Sequence, residues 1–473
     1  MSSGVSDRRK RCGAVILAGG RGSRIWPYAE VRNKAALQAG LEPIVRHGAQ
    51  AALETLGIQH WAVVTGPFEG SVRDAMAGLE PGPHWVAQGA RAGTAAAAAT
   101  GLAALPEWDQ ALILCGDCWI EASDLERLLE RARADAATPC VLAAPLRPPH
   151  TDPHDGVGLA IAGGEVRQVL LRPRESLGYR WAGALVLPRA LEPGLSGIAE
   201  APTQIEVGAM PLLERDLGQW LGQWVQGGGT LNAVEVDGLF CDVDRPWDLL
   251  WLNQQRAGRL AAAGPERELG EDAAIDGTAR INGRVRLGRR SRIGPGVVIR
   301  GGLWAGDDVE ITDGAILDGP VIVGDRTVVA RYCQVGRGSV LGRDCRVLHG
   351  AEVDGLFFDR VYAYHYGEFY GICGTATDLG AATVCGTLRF VDGVTEHRVG
   401  ARRERPAHGA DASYLGDYCR TGVNVILLPG AKVGPYSVIG PGTIVTGDVP
   451  ARTLLYVEQQ VVRKSWGPER YAW

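Results

Sequence analysis

The chain has no apolar run long enough to span a membrane, and residues 1–11 are polar and basic without the apolar stretch of a leader peptide. Neither a membrane anchor nor a secretory signal is expected, and residues 1–12 read as a disordered tail. Positive charge is not in excess either. The 49 Lys and Arg against 54 Asp and Glu leave a formal charge of −5, which carries no electrostatic footprint for nucleic acid. Cys115-Gly116-Asp117-Cys118 has no second CxxC and no histidine cluster to complete a zinc site, and the ten cysteines are scattered through apolar segments. They read as reduced, buried thiols of a cytoplasmic protein. No Gly-Lys-Ser/Thr follows a glycine loop, so a Walker A site is absent as well.

What the chain does have is glycine, 66 residues in 473, most of the excess lying beyond residue 270. Its length allows two or three domains with their own cores. Near the start, Ala14-Val15-Ile16-Leu17 reads as a buried strand that runs into Ala18-Gly19-Gly20-Arg21-Gly22-Ser23-Arg24. Three glycines in four positions leave backbone N–H groups bare, so the loop can close around an anion. Arg21, Arg24 and, ten residues on, Lys34 add fixed positive charge. Together these make a phosphate-handling site suited to a nucleoside triphosphate.

Residues 13–255 alternate apolar strands with helical stretches, the rhythm of a doubly wound parallel sheet. Strands are predicted at 61–65, 84–88 and 111–115, and helices at 43–56, 71–79, 93–105 and 249–259. In such sheets ligands collect beyond the carboxyl ends of the strands, which places the glycine loop, Gln88 and Asp117 along one crevice. A carboxylate there suits Mg²⁺, which prefers oxygen ligands. Asp248 fits better as a helix cap than as a ligand.

The segment Leu17 to Arg24 with Lys34 resembles the signature of the sugar-1-phosphate nucleotidylyltransferases, with Asn33 where that family has proline. The resemblance implies an enzyme with a Rossmann-like domain that joins an NTP to a sugar-1-phosphate and releases pyrophosphate. It assigns Leu17, Gly19, Gly20, Arg21, Gly22 and Ser23 to the triphosphate, and Arg24 and Lys34 to the charge of the leaving group. Gln88, Gly93 and Thr94 resemble the base-recognition segment, most like that of the uridylyl-transferring members, so UTP is favoured with other NTPs left open. Phe240-Cys241-Asp242-Val243-Asp244-Arg245-Pro246 resembles the second acidic motif, which makes Asp242 the partner of Asp117 on Mg²⁺. Gly156-Val157-Gly158 resembles the segment behind the sugar ring. Leu171 and Ala182 stand where the family uses a carboxylate and an amide to hold hydroxyls, so an unusual sugar phosphate or a cyclitol phosphate is expected as acceptor.

Beyond a linker at 256–270, aliphatic residues recur every six positions from Ile275 through Ile293, Ile311, Val329 and Val347 to Val353. Six residues make one short strand and a corner, and three hexads close a coil, so residues 271–455 read as a parallel β-helix. The frame breaks after Val353 and again over 391–413, a polar, arginine-rich stretch expected to project as a loop; residues 456–473 form a tail. This half resembles the acyltransferase-type domain of bifunctional nucleotidylyltransferases, which implies a left-handed helix, a homo-oligomer (a trimer favoured) and His365 near the position of a general base for acyl transfer from acetyl-CoA. A scaffold role for this half stays open beside acyl transfer. For the whole chain, a non-catalytic nucleotide-sugar-binding assembly subunit stays open beside the enzyme.

Overall fold

The apolar runs of the first half become the strands of a nine-stranded sheet: β1 Cys12–Ala18, β2 His60–Thr65, β3 His84–Ala87, β4 Gln110–Cys115, β5 Cys140–Pro145, β6 Val157–Ala162, β7 Glu165–Leu171, β8 Tyr179–Pro188 and β9 Asn232–Glu235. The computed structural model describes residues 11–89, 92–202, 213–391, 393–400 and 402–470. Most of the tail expected at 1–12 lies outside the described residues, while Cys12 opens the first strand.

The sheet order is β3-β2-β1-β4-β8-β5-β9-β7-β6. The first four strands pair in parallel, as expected of a doubly wound half. The fully parallel sheet read from the sequence is corrected beyond that point: β8 lies antiparallel between β4 and β5, and β6 and β7 pair antiparallel with each other. From Arg180 to Pro188 every residue of β8 is buried, and from Trp181 onward the segment is apolar on both faces, so its pattern carries no information about strand direction. The predicted helices appear at Ile44–Gln50, continued by a π-helical turn at Ala51–Thr55, and at Glu69–Ala75, Thr94–Ala103 and Pro246–Ala262.

The hexads fold as a parallel β-helix with eighteen residues per coil, Ile275 stacking beside Ile293 and Leu317 beside Val335. Its inward aliphatic residues form one continuous buried cluster from Val285 to Val449. Each such side chain, fully buried, contributes about 1.5–3 kcal/mol. The break after Val353 is a shortened corner and not the end of the coil. Glu352 pairs with Glu368 and Tyr362 with Asp378, a sixteen-residue advance, so the strands Glu352–Phe357 and Glu368–Cys373 run straight through one corner. Gly355 and Gly371 make this possible, with φ of 120° and 137°; a Cβ on Gly371 would lie 1.9 Å from the Ser413 carbonyl oxygen.

The stretch after Cys385 leaves the helix and returns at Ser413, so that Val384 stacks on Ile426. It does not project freely, which corrects the expectation of an outlying loop. An antiparallel hairpin, His397–Val399 with Arg402–Glu404, folds back over the helix Pro246–Ala262. The His397 ring lies 4.9 Å from that of Trp247, and its Nε2 bonds the Ala410 carbonyl oxygen at 2.6 Å. Burial lowers the His397 pKa to about 4, against about 6.5 in an unfolded chain. The docked loop is therefore fully stabilised above pH 6.5 and loses stability as pH falls toward 4. Amide exchange across 397–410 is expected to accelerate over that window in the native chain and to stay flat in His397→Gln.

The two halves share a core in which Tyr28, Leu37, Trp119, Leu249 and Leu250 pack with Ile322, Val340, Phe358, Ile372 and Tyr414. Among the described residues no helix is long and apolar enough to cross a membrane.

Candidate active site

The glycine loop leaves β1, turns through Gly22 in the left-handed region (φ 66°) and enters a short 3₁₀ turn at Ser23–Ile25. Gly20, Arg21 and Ser23 are exposed, while Gly19 lies under Gln88: a Cβ at position 19 would meet the Gln88 Oε1 at 2.1 Å. Asparagine at position 33 has a structural role. Asn33 is 2% exposed; its Nδ2 donates to the carbonyl oxygens of Ala18 at 2.9 Å and Pro67 at 3.2 Å, and its Oδ1 accepts from the Ala35 N–H at 3.0 Å. The amide thus straps the glycine loop to the turn that carries Lys34. Asn33→Pro has a compatible φ of −71° but loses these bonds and the Asn33 N–H bond to Ser71 Oγ at 3.0 Å. We expect a loss of about 2–4 kcal/mol, read as a lower urea midpoint.

Asp117 follows β4, and the strand Cys118–Ile120 after it pairs antiparallel with Phe240–Asp242, Asp242 lying opposite Cys118. This small ribbon is what joins residues 125 positions apart in one site. Ligand atoms of Asp117, Cys118 and Asp242 all lie within 4.8 Å of one another. The hydrogen bond with Cys115 and burial push the Cys118 thiol well up, so it stays protonated and the strong donors are two carboxylates. Such an oxygen pair fits a hard divalent cation.

Around that pair the charges alternate. Lys34 Nζ contacts Asp117 and lies 2.7 Å from Asp244 Oδ1. Arg24 Nη2 is 2.7 Å from Asp244 Oδ2, and its Nη1 is 3.2 Å from Asp155. Arg180 Nη2 is 2.5 Å from Asp242 Oδ2, and the Asp242 N–H donates to His150 Nε2 at 2.9 Å. Burial opposes the charge of Lys34, but Asp117, Asp244 and Asp242 outweigh it and hold its pKa well up. Burial and Asp244 push the Asp242 carboxyl up to about 7, against the pull of Arg180. Asp244 is also buried, yet Arg24, Lys34 and Arg245 hold it well below the usual carboxylate range. Asp248 accepts the N–H groups of Asp244 at 3.2 Å and Arg245 at 2.9 Å, capping from the third position of a helix that starts at Pro246 and not, as read from the sequence, at Leu249.

The remaining sequence candidates spread around this cluster. The Gln88 Nε2 lies 3.4 Å from the Gly93 carbonyl oxygen, and Gly93 (φ 105°) packs so tightly on Arg215 that a Cβ would sit 2.3 Å from its backbone. Thr94 Oγ1 is engaged by Asp216 at 3.1 Å and by the Leu217 N–H at 2.8 Å. Gly158 lies under Pro173, Leu171 is exposed at the end of β7, and Ala182 is fully buried among core residues that include Cys118. His365 stands apart on the β-helix, at an exposed corner with φ 63°, in a cleft lined by Tyr362, Tyr364, Asp378 and Leu379. Its ring is 4.6 Å from that of His349.

Sequence reasoning missed Asp155, Arg180, Asp244, Arg245 and Glu404. Asp244 had a signal, the acidic repeat Asp242-Val243-Asp244. Asp155, Arg180 and Glu404 had none, because they reach the cluster from a loop, from a buried strand and from the other domain.

Residues 14–179 match the MobA-like NTP transferase domain family. The bifunctional sugar-1-phosphate nucleotidylyltransferase/acetyltransferase of Sulfurisphaera tokodaii is 24% identical over 227 residues, covering 46% of this chain and 49% of that protein. The bifunctional protein GlmU of Methanococcus maripaludis is 22% identical over 455 residues, covering 95% of this chain and 98% of that protein. The matched part thus spans about half of the first relative's length and nearly all of the second's. The inositol-1-phosphate CTP transferase of T. maritima superposes with a TM-score of 0.41 at 15% identity, over 50% of this chain and 91% of that one. The chain resembles bifunctional nucleotidylyltransferases over most of its length, as its motifs imply.

Proposed function

We propose that the chain is a nucleotidylyltransferase that joins an NTP to a sugar-1-phosphate and releases pyrophosphate. The observation that carries this reading is the alternating cluster of Lys34, Arg24, Asp117, Asp242 and Asp244 beside a glycine loop at the carboxyl ends of β1 and β4. A phosphate oxygen of the acceptor attacks the α-phosphorus, and the bond from that phosphorus to the bridging oxygen of pyrophosphate breaks. The acceptor phosphate is already anionic, so no general base is required. Mg²⁺, when held by Asp117 and Asp242, supplies charge neutralisation between the reacting phosphates.

The chain's own groups stand pre-paired for this exchange. Lys34 is tied to Asp117 and Asp244, and Arg24 to Asp244 and Asp155; with Asp117 and Asp242 on a metal, Lys34 would be freed from Asp117 for the pyrophosphate oxygens, while Arg24 would reach them from Asp244 and Asp155. Each charge keeps a partner before and after binding, which limits reorganisation in a buried site. UTP is the favoured nucleotide, on the resemblance around Gln88 and Gly93. The acceptor differs from N-acetylglucosamine 1-phosphate, since Leu171 and Ala182 offer no hydroxyl-binding groups.

Pyrophosphate release from four NTPs with competing hexose, modified-sugar and cyclitol phosphates tests the reading. Each lost polar contact is worth roughly 1–3 kcal/mol, so discrimination of about a hundredfold against N-acetylglucosamine 1-phosphate is expected. Absence of turnover with every pair overturns the enzyme reading; N-acetylglucosamine 1-phosphate winning overturns the pocket argument.

The outward face of the last coils supports self-association. Ile426 and Ile444 stack there at 39% and 53% exposure, an apolar stripe that a partner copy would cover. A trimer is expected in light scattering, and Ile444→Glu is expected to weaken it. The ten free cysteines support a cytoplasmic location. A second activity, acyl transfer from acetyl-CoA at the His365 cleft, is favoured by the grouping of His365 with Tyr364 and Asp378. Thiol release with amino-sugar phosphates, absent in His365→Ala, is its test.

A further inference from the structure

Arg245 begins the helix Pro246–Ala262 in the nucleotidyltransferase half and is 9% exposed, so its charge needs fixed partners. Two of its three nitrogens are taken by one carboxylate from the other half: Nε lies 2.5 Å from Glu404 Oε2 and Nη2 lies 3.0 Å from Glu404 Oε1. The third, Nη1, lies 2.7 Å from Asp155 Oδ2. Asp155 uses its other oxygen for Arg24, at 3.2 Å, and Arg24 passes on to Asp244 and thence to Lys34. The charges therefore alternate without interruption from Glu404 to the two cations that face the phosphates.

Glu404 is held firmly enough to act in this way. It lies in the returning strand of the hairpin, opposite His397. The buried Lys432 of the β-helix donates to the Arg398 carbonyl oxygen at 2.8 Å, which fastens the same hairpin to the coils. The glycine-loop side is fastened to the β-helix too: Tyr28 Oη donates to the Ile372 carbonyl oxygen at 3.0 Å, and Arg32 pairs with Asp417. Residues 28 and 32 lie between Arg24 and Lys34, so the segment bearing both cations is set against the coils.

We infer that Glu404, delivered by the hairpin of the β-helix, is a positioning residue of the nucleotidyl-transfer site: by fixing Arg245 in a two-pronged pair it keeps Asp155 on Arg24. Without that pair, Arg245 turns both free prongs toward Asp155, its nearest remaining carboxylate, and draws it off Arg24. Arg24 then closes on Asp244, the residue it must leave to meet a triphosphate. The β-helix is on this account a wall of the first active site, whatever it does on its own.

The inference rests on the proposed function, and its test separates the two. In the full-length protein, Glu404→Gln keeps the shape of the side chain and removes its charge. We expect kcat/KM for the NTP to fall about tenfold, the size of coupling found within one ion-pair network, with a thermal midpoint near that of the native chain. Against an Arg245→Met background the same change is expected to have no further effect, because Glu404 acts through Arg245. Native kinetics in Glu404→Gln, or a tenfold loss that persists in the double variant, overturns the inference. If the native chain releases no pyrophosphate, the proposed function falls, and calorimetric NTP binding becomes the readout. An affinity weakened about tenfold by Glu404→Gln then upholds the inference, and an unchanged affinity, or no binding by the native chain, overturns it.

Discussion

Asp117→Asn is expected to slow pyrophosphate release about a thousandfold while the fold survives. The carboxylate is one of two strong oxygen donors in the cluster, and an amide offers a single weak donor with no charge. Loss of one preorganised electrostatic contact to the reacting phosphates costs about 10²–10³ in rate, and the loss of metal occupancy adds to it. The fold should hold because Lys34 keeps Asp244 at 2.7 Å, so no buried cation is stranded. Asp242→Ala is expected to match it in rate but not in stability. Asp242 is the carboxylate that pairs with Arg180, a 3% exposed guanidinium whose Nε and Nη1 have no other hydrogen-bond partner among the described residues. Stopped-flow pyrophosphate release with a urea titration of each variant checks both statements. Near-native rates in both would remove the metal assignment.

Lys34→Met is expected to damage stability and turnover together. The ammonium lies between Asp117 and Asp244 with 13% of its side chain exposed, and its removal leaves two carboxylates facing each other beside Asp242. Breaking a buried pair on one side costs about 3–5 kcal/mol. Turnover should drop at least a thousandfold, because the leaving pyrophosphate loses a cation that no neighbour replaces. Millimolar Mg²⁺ should recover part of the lost stability in this variant, since the carboxylates freed of Lys34 would bind it more tightly. A thermal midpoint unchanged from native would show that Lys34 is not held as an ion pair in solution.

The parts of this protein that were legible in the sequence are those governed by local or strictly periodic rules. The glycine loop could be read because bare N–H groups and nearby cations are adjacent in the chain. The β-helix could be read because every coil repeats the same inward residue at the same spacing, down to Val353. The capping role of Asp248 was likewise a matter of three or four residues. The direction of β8, by contrast, was hidden, because a strand buried on both faces reads the same whichever way it runs. The shortened corner at Gly355 reads in the sequence only as a break in the frame, because losing two residues shifts the count without changing the packing.

What the tertiary structure alone decided is the company each charge keeps. The sequence by itself determined that Arg24, Lys34, Asp117 and Asp242 are present in motifs that suit phosphate and metal. It could not say that Lys34 rests on Asp117, that Arg180 answers Asp242 from near the start of a buried strand, or that Glu404 reaches Arg245 across 159 positions. Ion pairs in a low-dielectric interior depend on distances of a few ångströms, and those distances are set by the docking of a sheet against a β-helix. No spacing along the chain encodes that docking, because it arises from two apolar surfaces, each of which also reads as the ordinary core of its own half.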